Sequence, residues 1–292
     1  MCFNYFFMTN KKNSHTESFE KYRPDIDGLR ALAVFFVIGF HFFPGWVRGG
    51  FIGVDIFFVI SGYLISSILF QALARNSFDF ADFYSHRIRR IFPALILVLL
   101  TCFVVGWFVL LADEYMQLGK HIVGGAGFIS NLILWSESGY FDAAAETKPL
   151  LHLWSLGIEE QFYIFWPLVL WVIWKLKLKP FGFILAIAIT SFCFNLYEIG
   201  IDHTAAFYSP QTRIWELLVG SILAYLLLYR QKDFHKTKLS TDLFLAQIPI
   251  FSMIARQNWP ANALALIGVL LLGIGLALID KQTHYPGAWA IS

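Results

Sequence analysis

Eight stretches of the sequence are long and apolar enough to cross a lipid bilayer as helices. A spanning helix needs about 20 mostly apolar residues, and 58% of the 292 residues are hydrophobic while only 14% are charged. Soluble domains carry roughly 25% charged residues, so a soluble fold of this chain would expose large apolar patches. The sequence therefore predicts an all-α, polytopic transmembrane bundle. The predicted spans are residues 29–45, 51–74, 91–111, 118–136, 155–174, 181–199, 213–229 and 262–279.

Composition and charge exclude several other classes of protein. The net charge is only +2 at pH 7 and no stretch resembles a phosphate-binding stripe, so we expect no nucleic-acid partner. A β-barrel needs strands that alternate over about ten residues, whereas the run Ala94–Leu111 is continuously apolar. The three cysteines (Cys2, Cys102 and Cys193) show no metal-ligand spacing, and we expect no metal.

Cationic residues indicate which side of the membrane faces the cytoplasm. Most of the 22 lysines and arginines precede the first span or lie in the 75–90, 175–179 and 230–256 loops, so the N-terminus is predicted to be cytoplasmic. Residues 1–21 are predicted to form a loose tail ahead of one domain that covers residues 22–292. Because residues 285–292 are typical of the opening of a ninth span, we expect this domain to be incomplete at its C-terminal end.

The loop charges conflict with a simple count of spans. The basic 75–90 loop and the acidic 137–148 loop are predicted on opposite sides, yet two predicted spans separate them, and only an odd number of crossings joins opposite sides. The 118–136 stretch carries Lys120, His121 and a glycine-rich run at 124–127, which weakens a lipid-facing helix. We therefore predict that this stretch is a re-entrant or broken segment, which is tolerated where it lines a protein cavity.

Arg30 and His41 share one face of the first predicted span. They are eleven residues apart, which leaves them about 20° apart around the helix axis and about 16 Å apart along it. An ionisable group inside a bilayer costs at least a few kcal/mol, so it needs a partner or a function. The imidazole is interpreted either as a catalytic group beyond the bilayer midplane or as a buried histidine that bonds to a neighbouring helix.

Asp55 lies near the outer end of the second span, at a depth close to that of His41. Its carboxylate is predicted to accept the second N–H of the His41 ring, as an acid does for a catalytic imidazole. The alternative is that it complements the positive end of its own helix. The neighbouring glycines permit close helix packing in lipid.

Two further pairs of charged residues open later spans. Arg87 and Arg90 are spaced i,i+3 at the predicted inner boundary, where two guanidinium groups suit a phosphate or pyrophosphate group. The alternative is that they are a basic cluster of the kind common at the cytoplasmic start of a spanning helix, where it contacts lipid headgroups. Glu159 and Glu160 face directions about 100° apart, so at least one points into the bundle, at about the depth of His41. Later, Arg213 and Glu216 are spaced i,i+3, which most simply predicts a structural ion pair.

Three ordered runs of sequence together resemble membrane-bound acyltransferase family 3, which includes O-acetyltransferases of bacterial surface glycans. The resemblance covers roughly residues 22–292, although domains of that family usually have about ten spans. Each run alone is a weak motif, but their joint order is specific. The runs are Tyr22–Ala31, with the Arg30 and His41 arrangement that follows, Gly50–Ile65, and His152–Tyr163.

The resemblance implies acyl transfer, with acetyl the expected group, from a cytoplasmic acetyl-CoA or other acyl-CoA donor. The acceptor would be a lipid-linked or surface glycan (lipopolysaccharide O-antigen, peptidoglycan or exopolysaccharide) at a bacterial inner membrane. It also implies that His41 is the essential histidine with Arg30 as its partner. Arg87 and Arg90 would meet the donor, which favours a functional interpretation of that pair, and Glu159 or Glu160 matches the acidic motif.

These residues predict an O-acyltransferase in which His41 removes the proton of a sugar hydroxyl or first takes the acyl group itself. Asp55, Glu159 or Glu160 would orient the imidazole. A polytopic transporter or proton-coupled carrier is the alternative, because buried ionisable residues also form relays, although we find no internal repeat; a degenerate scaffold is a weaker one. The sequence leaves open the acceptor glycan, the hydroxyl, the acyl group, the activity of this chain and its oligomeric state.

Overall fold

The computed structural model describes residues 23–138, 147–230, 259–279, 285–287 and 290, and every long element in this part of the chain is a helix. The tail predicted for residues 1–21 lies outside the described residues, as does most of the predicted opening of a ninth span. The helices are α1 (Pro24–Phe42), α2 (Gly53–Ala74, preceded by a 3-10 turn at Gly50–Ile52), α3 (Phe80–Val109), α4 (Ala112–Ala126), α5 (Ser130–Glu137), α6 (Leu153–Lys175), α7 (Pro180–Glu198), α8 (His203–Tyr208), α9 (Pro210–Tyr229) and α10 (Trp259–Leu278).

Local sequence signals set where these helices begin. Pro24, Pro180 and Pro210 each occupy a first helical position, where proline supplies the right φ and its missing N–H is not needed. Asp79 caps α3 by accepting a hydrogen bond from the backbone N–H of Asp82 at 2.9 Å, and Asp202 caps α8 in the same way. The turns between spans are thus encoded locally.

Within the described residues, five helical segments are long and apolar enough to cross a membrane: Gly50–Ala74, Phe80–Val109, Leu153–Lys175, Pro180–Glu198 and His203–Tyr229. The predicted first and last spans also coincide with helices, α1 and α10. Helix α3, with 30 residues, is about 45 Å long and so exceeds the roughly 30 Å of a hydrocarbon core. Its first turns, which carry Arg87 and Arg90, can therefore extend beyond that core.

The 118–136 stretch does not form one spanning helix. Helix α4 ends at Ala126, the chain turns through Phe128 in the left-handed region (φ 56°), and α5 runs back beside α4. The Nζ atom of Lys120 in α4 lies 2.7 Å from a carboxylate oxygen of Glu137 at the end of α5. The segment is thus a broken helical hairpin that returns to the end of the bundle from which it entered, which removes the parity conflict.

Side chains of α6 hold the turn of this hairpin deep in the bundle. The Gln161 side-chain amide donates hydrogen bonds to the Phe128 carbonyl at 2.7 Å and to Asn131 Oδ1 at 2.9 Å, and Asn131 donates to the Tyr208 carbonyl at 3.0 Å. The Phe128 ring also packs against Phe92, which is about 25 Å from the end of α3. These hydrogen bonds provide partners for backbone carbonyls where the chain is not helical or a helix ends, which is required of backbone within a membrane.

Helices α2 and α9 approach each other closely because a glycine of each helix faces the backbone of the other. A Cβ on Gly62 would overlap the Leu217 carbonyl, and a Cβ on Gly220 would overlap the Val59 carbonyl. Residue numbers increase in the same direction along both helices at their contacts, from Asp55 with Arg213 to Phe70 with Tyr229. The two helices are therefore parallel. This pair, packed with α6 and α7, encloses the main apolar core, which includes Phe58, Leu69, Ile158, Leu170, Leu217 and Leu218.

The α2–α9 contact predicts which glycine tolerates a methyl group. Gly62→Ala should lower the free energy of unfolding by about 1–3 kcal/mol, because the helices must separate to admit it. The measurement is the melting temperature of detergent-solubilised protein. Gly182→Ala in α7 is the matched control, since a Cβ there meets nothing within 4 Å, and alanine is the better helix former. Equal melting temperatures for the two variants would contradict the packing described here.

Candidate active site

His41 lies in a small cavity at the end of α1, which we name the histidine cavity. It has a volume of about 150 Å³ and is formed where α1, α2, α6 and α9 meet. The residues on its wall that carry polar groups are two histidines, one arginine, two tyrosines and one tryptophan, and the remaining wall is aromatic and aliphatic. The lining includes Val37, Phe40, His41, Phe51, Val54, Leu151, His152, Trp154, Phe207, Tyr208, Arg213 and Tyr285.

A second histidine lies beside His41 in this cavity. His152, directly before α6, has its ring centroid 4.7 Å from that of His41 in an edge-to-face arrangement. Both residues have a substantial exposed surface. Burial, followed by the proximity of His41, lowers the pKa of His152 below its usual value of 6.5. His152 is therefore a neutral imidazole at pH 7, which can accept or relay a proton.

Arg213 brings a buried positive charge to the same cavity. Its side chain is 1% exposed, and Nη2 donates to Asp55 Oδ1 while Nη1 lies 2.9 Å from Glu216 Oε1. The predicted Arg213–Glu216 ion pair is thus present, and Asp55 extends it to a three-residue cluster. Four aromatic rings surround the guanidinium at 5.4–5.9 Å from their centroids, those of Phe58, Trp154, Phe207 and Tyr285.

This pairing corrects the predicted contact between Asp55 and the His41 ring. Asp55 is buried, and the hydrogen bond that it accepts in the structure comes from Arg213. It follows that Asp55 acts on the histidine cavity through the guanidinium. Asp55 and Glu216 also border a second cavity of about 350 Å³, whose other lining is largely apolar and includes Leu29, Ile56, Val59, Ile60, Val219 and Leu272.

Glu159 belongs to a different cluster, about two turns deeper along α6 than His152. Its Oε2 accepts hydrogen bonds from Ser61 Oγ at 2.9 Å and from the Tyr163 hydroxyl at 3.0 Å. Arg30 and Arg87 lie within electrostatic range of it, and the Arg87 guanidinium lies over the Tyr163 ring at 5.2 Å. We name Arg30, Arg87, Glu159 and Glu160 the arginine–glutamate cluster.

The structure thus divides the predicted site residues between two places. The expectation that Glu159 and Glu160 lie at the depth of His41 is wrong. His152, directly before α6, lies beside His41, and the two carboxylates lie about two turns further along α6, where they face the arginines. Arg87 is half-buried and joins the cluster, whereas Arg90 is exposed one turn away. Arg30 is half-buried and also lies 3.9 Å from Asp27.

Sequence reasoning missed two residues of the histidine cavity. His152 opens the third of the sequence runs named above, but no periodicity links it to His41 across 111 residues. For Arg213 the i,i+3 spacing predicts the local ion pair with Glu216 and gives no sign of Asp55. Among the described residues, no group of three or more histidine, cysteine or carboxylate side chains is placed to hold a metal.

Comparison with known proteins assigns this chain to a family. Residues 23–287 match the family described as acyltransferase domain. Peptidoglycan O-acetyltransferase OatA of Listeria monocytogenes is 39% identical over 217 residues, which cover 70% of this chain and 34% of that protein. YrhL of Bacillus subtilis, named provisionally as a peptidoglycan O-acetyltransferase, is 40% identical over 237 residues, or 78% of this chain and 37% of YrhL. No solved structure matches.

The chain belongs to the acyltransferase family that these relatives share. It spans about a third of the length of the curated relatives that it matches. Together with the five long apolar helical segments, the family identifies the chain as a multi-pass membrane protein.

The lowered pKa of His152 predicts a loss of stability in acid. The unfolded chain binds a proton at His152 near pH 6.5, while the folded chain binds it only at lower pH. Unfolding is therefore favoured as the pH falls through and below 6.5. The melting temperature of wild type should fall further between pH 7.5 and pH 5.5 than that of His152→Gln. Equal decreases in both proteins would show that His152 is protonated as readily in the folded state as in the unfolded one.

Proposed function

We propose that this chain is the membrane part of an O-acetyltransferase that moves an acetyl group from a cytoplasmic acyl-CoA to a hydroxyl of peptidoglycan. The family and the printed names of its relatives support the class of reaction and the acceptor. The observation that carries the proposal is the pair of touching imidazoles in a cavity that also holds a buried guanidinium. Acyl transfer to a hydroxyl needs a base and a group that stabilises negative charge, and both are present there.

The chemistry assigned to His41 is general base catalysis. A sugar hydroxyl is a weak nucleophile until its proton is removed, so the His41 imidazole takes that proton as the oxygen attacks the thioester carbonyl. A C–O bond forms, the C–S bond breaks, and the proton passes to the departing thiolate. A cavity of about 150 Å³ is large enough to admit a benzene-sized molecule, so it accommodates an acetyl group but not the whole donor.

The arginine–glutamate cluster is assigned to the donor. Arg30 lies about 16 Å from His41 along α1, and Arg87 and Arg90 stand near the start of α3, where cations suit the phosphates of coenzyme A. Glu159 balances part of this charge, and Ser61 and Tyr163 fix its position by hydrogen bonds. The pantetheine arm would extend from this cluster to the histidine cavity.

In this proposal α1 enters the bacterial inner membrane from the cytoplasm. The basic residues before α1 and between α2 and α3 lie on the donor side, and the histidine cavity opens toward the opposite side. The acceptor, as a lipid-linked or polymerised glycan, approaches there. Two ends of one bundle thus meet substrates from two compartments.

The decisive variant for this proposal is His41→Ala. We expect base-labile acetyl groups on peptidoglycan to disappear from cells that express it, because the proposal assigns removal of the hydroxyl proton to His41. His86→Ala is the matched control, since His86 is exposed and bonds locally to the Asp82 carbonyl. Acetylation should persist in that control. Full acetylation in His41→Ala, at equal membrane abundance, would disprove the role of His41.

The donor side has its own test. Arg87→Ala should raise the KM for acetyl-CoA by about 10- to 100-fold in membrane preparations, since a charge-assisted contact contributes about 1.5–3 kcal/mol. The neighbouring exposed Arg89 provides the control, and Arg89→Ala should leave KM within about twofold. An unchanged KM in Arg87→Ala would show that Arg87 does not contribute to binding acetyl-CoA.

A further inference from the structure

Arg213 has more hydrogen-bonding capacity than its structural partners use. A guanidinium has five N–H donors in a rigid fork. Asp55 occupies Nη2, while Nε and Nη1 donate no hydrogen bond within the described residues, although both are buried. The 2.9 Å approach of Nη1 to Glu216 is close enough for ion pairing but lacks hydrogen-bond geometry. A buried donor without an acceptor is costly, so its persistence indicates a ligand.

The residue that carries these donors lines the cavity in which the proposed reaction develops negative charge. Arg213 lines the histidine cavity together with His41 and His152. When a hydroxyl attacks a carbonyl, the carbonyl oxygen becomes an oxyanion, and a fixed donor in a water-poor site stabilises it strongly. The surrounding rings of Phe58, Trp154 and Phe207 exclude water from this guanidinium.

We infer that Arg213 is a catalytic residue that donates a hydrogen bond to the carbonyl oxygen of the acyl group during transfer. Asp55 and Glu216 are positioning residues, because they pair with the guanidinium and offset its charge. The inference rests on the proposed function and adds a residue to it. In the step, His41 takes the hydroxyl proton and Arg213 stabilises the tetrahedral oxyanion. The C–S bond then breaks and releases the thiolate, which His41 protonates.

Two variants of the full chain in membranes separate catalysis from folding. Arg213→Lys keeps one positive charge between the carboxylates but loses the fork. The triple variant Arg213→Met, Asp55→Asn, Glu216→Gln replaces the whole cluster by neutral groups of similar size, which avoids an uncompensated buried charge. The measurements are the transfer of labelled acetyl from acetyl-CoA to peptidoglycan fragments and the melting temperature.

We expect both variants to lose kcat by about 10²–10³-fold, the range found when one oxyanion donor is removed. The KM for acetyl-CoA should stay within about threefold, because the contact forms only in the transition state. A kcat loss below tenfold in either folded variant, or an effect confined to KM, would overturn the role of Arg213. His41→Asn, measured in parallel, tells the two proposals apart: if it is inactive while the Arg213 variants are active, only this inference fails. Wild type without acetyl transfer would overturn both.

Discussion

The contact between the backbones of α2 and α9 is the constraint on which the rest of the structure depends. Gly62 and Gly220 remove the side chains that would hold the two helices apart. In lipid, where apolar burial between helices gains little, such close packing is a main source of association. Because the helices are parallel, the same contact sets Asp55 beside Arg213 two turns before the glycines. A packing interaction thereby creates an ion pair that lines the site.

The cost of charge at membrane depth explains why the polar residues form clusters. An isolated charge there is unfavourable, and each cluster combines opposite charges or hydrogen-bond donors with a carboxylate. Arg213 is offset by Asp55 and Glu216, while Glu159 accepts from Ser61 and Tyr163 and faces Arg87. The two clusters lie at different depths of one bundle. In the proposed function, an acyl group would pass from the arginine–glutamate cluster at one depth to the imidazoles at the other.

The broken hairpin of α4 and α5 serves this arrangement by supporting α6 rather than by adding a crossing. Its turn accepts hydrogen bonds from Gln161, two residues after Glu159, and packs against Gly157. The hairpin thus fixes the face of α6 that carries the acidic pair. Its far end is held by Glu137, which pairs with Lys120, His121 and Lys148.

The sequence by itself determined the fold class, the extent of most helices and the weak 118–136 segment. Apolar length, proline at helix starts and aspartate caps are local properties that act without reference to neighbours. The placement of Arg30 and His41 on one face of α1 is also a local property, because it depends only on their spacing along a single helix. Partners on other helices were decided only by tertiary structure: His152 beside His41, Arg213 beside Asp55, and Glu159 toward the arginines. Helix rotation and relative depth arise from the packing of many side chains, and no spacing along a single helix encodes them.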